Sequence, residues 1–145
     1  MIDAKLKFMA LYLLKKQEGV RKHVYKCTEG YDTIGVGRNV SKYGLGLRDS
    51  EIDFMLTNDI EYFYDELETR YSFFSDLSKE RKLALMSMAF QLGMKGFSKF
   101  VKMLEALEEG DYDRASSEML LSKWAKQTPN RAMELARIIQ TGKMD

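Results

Sequence analysis

Glu18, Cys27 and Thr33 fall within one short stretch, EGVRKHVYKCTEGYDTIGVG, and each is a residue type that moves protons or holds water. A carboxyl group can hand a proton to a leaving oxygen, while a thiolate or hydroxyl can polarise or orient a nucleophile. Glu18 lies where an apolar helix should end. Its carboxylate there faces the negative pole of the helix dipole, a placement that opposes ionisation and suits a general acid. On position alone a solvated surface glutamate is the commoner outcome, since Glu is seldom buried. Cys27 is the only cysteine in the chain, so no internal disulfide can form and the fold needs no oxidising compartment. An ordinary thiol, with a pKa of about 8.5, is only a few per cent ionised at pH 7. Lys22, His23 and Lys26 favour the thiolate, and an ionised Glu18 opposes it. One histidine with one cysteine is too little for a zinc site, and neither a metal nor another cofactor is expected.

The elements that must position these groups are legible in outline. Ile2, Leu6, Met9, Leu13 and Leu14 have the spacing of a helix face turned toward a core, and that helix should end near Gly19. From His23 to about Leu47 the pattern changes to short β-prone pieces, HVYK and YDTIGVG, split by TEG and followed by SKYGLGL. Gly30, Gly35 and Gly37 suit a hairpin whose turn needs positive φ and whose backbone something approaches closely. The G-x-G pattern does not open a helix after a strand, which excludes a dinucleotide-binding loop. Beyond it the chain reads as helical. Asp49 or Ser50 should cap a run to about Leu67, Ser78 should start a helix reaching Gly93, and FSKFVKMLEALEEG should stop at Gly110. DYDRASSEMLLSKWA reads as one helix, and TPNRAMELARIIQTG as another, with Thr128 as cap, Pro129 at the first position and Gly142 as the end. The expected fold class is α+β: an N-terminal helix, a small β-hairpin lobe, a C-terminal bundle of about five helices, and a cleft between lobes. A single domain should span residues 1–145, with a β lobe at about 20–48 and a helical lobe at 1–19 and 49–145.

Composition narrows the partners. The chain has 23 Lys and Arg against 22 Asp and Glu, and a basic stripe is missing from every helix that can be drawn, so a nucleic-acid binder is the least favoured reading and no nucleic-acid partner is expected. The apolar run FMALYLL is about half of what a membrane span requires and has no small-residue cleavage site after it. No stable membrane insertion and no export signal are expected.

The combination E-G-x-R-x-x-x-Y-x-C-x-x-G-x-x-T-I-G-x-G resembles the signature of the phage-type lysozymes, the endolysin and muramidase family. AFQLG, Ala89 to Gly93, and SKWAKQTPNRA, Ser122 to Ala132, resemble two further segments of that family in the same order. The resemblance implies hydrolysis of the β-1,4 bond between N-acetylmuramic acid and N-acetylglucosamine in peptidoglycan. It implies that Glu18 protonates the leaving oxygen, that Thr33 helps hold the attacking water, and that Cys27 completes the triad. Arg131 matches the family arginine that pairs with the catalytic glutamate. Gln91, Gln127 and Asn130 fall on segments that line the cleft, although capping and packing explain Gln91 and Asn130 equally well. Trp124 is a core residue before it is a sugar platform. The segment before Asp49 is short for the family, which implies a trimmed β lobe.

Two positions depart from the family pattern. The pattern carries an aspartate where this chain has Cys27, so the second carboxylate of the usual glycosidase pair is missing. As a thiolate Cys27 would activate a water or stabilise positive charge. Direct attack on the sugar would leave a thioglycoside that is slow to break down. Glu29, at the hairpin turn, and Asp32, on the opposite strand face, are poorer substitutes. Arg38 stands where relatives often carry His after Gly37, and supplies a cation whose acidic partner the sequence does not identify, Asp59 being one acid further along.

These expectations converge on an endolysin made in the host cytoplasm and held there until lysis, acting as a monomer once a separate holin-like pore gives access to the cell wall. Two alternatives stand beside it: a catalytically impaired peptidoglycan-binding protein on the same fold, and a lysozyme effector delivered by a phage tail or secretion machine.

Overall fold

The computed structural model describes residues 1–144 and divides into two compact units, one from Met1 to Phe54 and one from Met55 onward. The boundary falls inside a long helix.

In the first unit, helix α1 (Ala4–Glu18) starts where Asp3 accepts the Leu6 N–H at 3.0 Å and stops at Gly19, whose φ is 77°. Its end matches the expectation. Its apolar face does not, because Leu6, Met9, Leu13 and Leu14 remain about half exposed and no α1 residue is buried. The three strands of this unit are six, four and two residues long and bury Thr33 alone, so they offer the helix no buried apolar layer. Strands β1 (Arg21–Lys26), β2 (Asp32–Gly35) and β3 (Arg38–Asn39) form an antiparallel sheet in that order. Tyr25 pairs with Thr33, Lys26 with Asp32, Thr33 with Asn39 and Ile34 with Arg38, and the β1–β2 register slips between Arg21 and Tyr25. The turns fall on glycines: Gly30 (φ 85°) closes the β1–β2 connection, while Gly35 and Gly37 (φ 68° and 66°) make the tight β2–β3 turn.

Helix α2 (Asp49–Arg70) is capped by neither Asp49 nor Ser50. The Arg48 N–H donates to Glu51 at 2.8 Å, so Arg48 holds the cap position and Glu51 reaches back over the first turn.

In the second unit, α3 (Lys79–Phe97) starts on Ser78 and breaks at Gly93 (φ 74°, ψ 162°), where the helix was expected to end, before one more turn. Helix α4 (Val101–Glu108) ends near Gly110. DYDRASSEMLLSKWA forms two helices rather than one, α5 (Tyr112–Leu120) and α6 (Lys123–Gln127), because the Ser122 hydroxyl accepts the Ala125 N–H and starts a new cap. This raises the count after the sheet to six α-helices among the described residues, besides a short 3₁₀ helix at Phe74–Asp76. Helix α7 (Pro129–Thr141) begins at Pro129 and ends on Gly142 as expected. Thr128 sits at its cap position, yet its hydroxyl donates backward to the Trp124 carbonyl and closes α6 instead. Phe74, Leu85, Met88, Phe97, Met103, Leu107, Met119 and Ile139 form the centre of the core, and Trp124 is buried at its edge. Among the described residues no helix is long and apolar enough to cross a membrane.

Candidate active site

The first unit carries Glu18 at the end of α1 and Cys27, Thr33, Gly37 and Arg38 on the strands and turns that follow. Glu18 is the last residue of α1, and its carboxylate lies against the backbone of Gly37. A Cβ built at Gly37 would sit 2.9 Å from Glu18 Oε2, inside any real carbon–oxygen contact. Glycine is favoured at 37 by its positive φ, and a side chain there would push the Glu18 carboxylate aside.

Cys27 opens the turn between β1 and β2. Its N–H donates to the Tyr31 carbonyl at 3.0 Å, its carbonyl accepts the Gly30 N–H at 2.8 Å, and its Sγ accepts the Tyr31 N–H at 3.4 Å. The Tyr31 N–H is the main influence pulling the thiol below its ordinary pKa, helped by the Glu29 N–H and the Thr33 hydroxyl; partial burial and the Glu29 charge act in the opposite sense. The turn therefore does what the flanking lysines were expected to do. Lys26 is engaged elsewhere, 2.6 Å from Asp32, which also accounts for the carboxylate nearest in sequence on β2.

Thr33 is 3% exposed and donates its hydroxyl to the Tyr31 carbonyl at 2.8 Å. Its single proton can serve only one acceptor at a time, and the Cys27 sulfur is the other. Tyr31 thus holds both groups through its backbone, one by its N–H and the other by its C=O. That role leaves no mark in the sequence, because it requires the closed turn.

Arg38 has its acid in Glu51. Its Nη1 lies 2.7 Å from Glu51 Oε1 and 2.6 Å from Oε2, and also donates to the Gly46 carbonyl at 3.2 Å. Glu51 escaped sequence reasoning because its capping partner is an arginine rather than a serine or threonine.

The remaining candidates belong to the second unit. Gln91 is exposed and accepts the buried Trp124 Nε1–H at 2.9 Å. Gln127 lines a cavity of about 590 Å³ whose floor includes Leu92, Phe100 and Trp124. Asn130 is exposed on the first turn of α7, and Arg131 donates to the Ser87 carbonyl and hydroxyl, both at 3.0 Å. Gln91 and Gln127 therefore gather near Trp124, whereas Arg131 is anchored on α3.

The profile of the Phage lysozyme family matches residues 15–137. The Dictyostelium discoideum protein named "Probable T4-type lysozyme 1" is 29% identical, over 92% of this chain and 94% of its own length. The "Endolysin" of Acyrthosiphon pisum secondary endosymbiont phage 1 is 31% identical over 83% of this chain and 80% of its length. The "Pre-baseplate central spike protein Gp5" of Enterobacteria phage T4 is 30% identical over 92% of this chain, which spans 28% of that longer protein.

Proposed function

The chain belongs to the phage lysozyme family, glycoside hydrolases that act on peptidoglycan, and from that premise we propose that Glu18 and Cys27 carry its muramidase reaction. Glu18 donates its proton to the glycosidic oxygen as the bond to the anomeric carbon breaks. The Cys27 thiolate takes a proton from the attacking water, whose oxygen forms the new bond to that carbon. Thr33 orients the water or the sulfur with its one hydroxyl proton. The observation that carries this reading is the treatment of Cys27: the Tyr31 N–H donates to its sulfur at 3.4 Å, a bond that favours the anion. A base needs that form, and an inert packing cysteine does not. Arg131, Gln91, Gln127 and Asn130 are assigned to substrate binding or support, as are Gly37 and Arg38.

The biological role we assign is host lysis as an endolysin, acting as a monomer after a holin-like pore opens the way from cytoplasm to wall. The similarity to an endolysin supports it. The similarity to a baseplate spike protein favours a second reading, delivery of the same chemistry by a phage tail.

Product analysis tests the chemistry. Purified peptidoglycan is digested, the new ends are reduced with borohydride, and the sugars are identified after acid hydrolysis. Reduced muramic acid is the expected product. Reduced glucosamine would mean the other bond is cut, and binding without any reduced sugar would leave a wall-binding protein.

A further inference from the structure

We propose that Glu51 is a positioning residue for Glu18, acting through Arg38 and the backbone at Gly37; this rests on the reading of Glu18 as the catalytic acid.

The path begins at the carboxylate. Glu18 is exposed on most sides, and the Gly37 backbone is the wall it rests on. The place of that wall decides where the proton is delivered. Gly37 lies in a two-residue turn between β2 and β3, and β3 is only two residues long, with pairs Ile34–Arg38 and Thr33–Asn39. A ladder that short fixes a turn weakly.

The Arg38 side chain adds what the ladder lacks. It leaves the strand next to Gly37 and meets both Glu51 oxygens, at 2.7 and 2.6 Å, and the Gly46 carbonyl at 3.2 Å. Glu51 is held in turn by the Arg48 N–H at 2.8 Å, in the first turn of the 22-residue helix α2. The connecting segment is equally specified. The Gly46 N–H donates to the Asn39 carbonyl at 3.1 Å, Asn39 Oδ1 accepts the Ser41 N–H at 2.9 Å, and a Cβ at Gly44 would run into the Asn39 side chain. The backbone beside the catalytic carboxylate is therefore braced against a long helix through one ion pair. The two side chains are 25% and 31% exposed, and hydrogen bonding to Arg38 and the Arg48 N–H holds the Glu51 carboxyl at about 2, so the pair is charged between pH 5 and 7, where turnover is measured.

The alternative is that this pair only ties the loop down. A tie lowers stability when cut and leaves the folded enzyme's turnover alone, whereas a brace on the acid lowers kcat. A misplacement of about 1 Å at a reacting group costs on the order of 100-fold. The expectation for Glu51→Ala is a kcat loss of at least about tenfold that exceeds any rise in KM, because Gln91 and Arg131 are held by Trp124 and Ser87 rather than by Glu51.

The test measures kcat and KM on soluble peptidoglycan fragments, the melting temperature, and the carbon resonance of the Glu18 carboxyl in selectively labelled protein. Glu51→Ala is compared with Glu66→Gln, which cuts the Arg70–Glu66 pair on the same helix, 2.9 Å apart. A selective kcat loss and a moved Glu18 resonance in Glu51→Ala, with Glu66→Gln unchanged in both, support the proposal. A lowered melting temperature with kcat within about twofold and an unmoved resonance overturns it. Should Glu51→Ala not fold, Glu51→Gln, which keeps an acceptor without the charge, is read by the same measures. If the parent protein releases no sugar at all, the muramidase reading fails, and the Glu18 resonance alone then decides whether Glu51 positions that carboxylate.

Discussion

Replacing Cys27 by Asp supplies a second carboxylate, and its effect on rate should depend on pH in a way that can be worked out. The thiol acts only as thiolate. With an ordinary pKa of about 8.5, the ionised fraction is about 0.0003 at pH 5 and about 0.03 at pH 7, while an aspartate of pKa about 3.9 is more than about 90% ionised throughout. Between pH 5 and 7, then, the rate of Cys27→Asp relative to the parent should fall about 100-fold, close to tenfold per pH unit. The Tyr31 N–H, 3.4 Å from the sulfur, and the Thr33 hydroxyl lower the thiol's pKa, which raises the parent's absolute rate but leaves this slope intact while most of the sulfur is protonated. Both proteins use the same general acid, so that requirement enters the two rates alike and drops out of their ratio. The assay is reducing-end release at saturating peptidoglycan, at half-unit intervals, with melting curves to confirm that both proteins stay folded. A rate ratio that is flat from pH 5 to 7 would refute the thiolate role.

Four further outcomes follow from the geometry. Gly37→Ala places a methyl 2.9 Å from Glu18 Oε2 and forces a positive φ on alanine, so activity should fall at least about tenfold beyond a stability cost of about 1 kcal/mol. Gly110→Ala, with φ 75° and open space around its Cβ, should show the stability cost alone in parallel melts and turnover assays. Glu51 titrates at about 2 when folded and at about 4.3 when unfolded, so its pairing contributes fully above about pH 4.3 and is lost as pH falls toward 2. The gap in melting temperature between the parent and Glu51→Gln should narrow across that window, and a constant gap would contradict the assignment. Arg81 donates to the Ile139 carbonyl at 2.7 Å and the Gln140 carbonyl at 3.2 Å and stacks 3.6 Å from the centre of the Tyr112 ring, closing the end of α7. Arg81→Met should cost about 2 kcal/mol in chemical denaturation without changing the pH profile of activity.

What could be read from the sequence was what local chemistry dictates. Glycines at 30, 35 and 37 announced turns because positive φ excludes most side chains, and Gly110, Pro129 and Gly142 marked helix ends for equally local reasons. Glu18 at a helix end and Cys27 at a turn followed from the same punctuation. What failed depended on competition between groups. Ser122 breaks a continuous helical pattern because its hydroxyl takes the Ala125 N–H, and Thr128 gives its hydroxyl to α6 rather than capping α7. Glu51 was invisible because a capping interaction onto arginine has no sequence signature. Tyr31 was missed because it acts through its backbone, which any residue possesses.

The most direct measurement is turnover of one peptidoglycan preparation at pH 6 by three proteins: the parent, Glu18→Gln and Cys27→Ala. General acid and base groups each contribute about 100- to 10,000-fold, so both variants should fall by at least about 100-fold while melting as the parent does. A Cys27→Ala variant that stays within a few-fold of the parent would show the thiol to be a bystander and contradict the proposed catalytic pair.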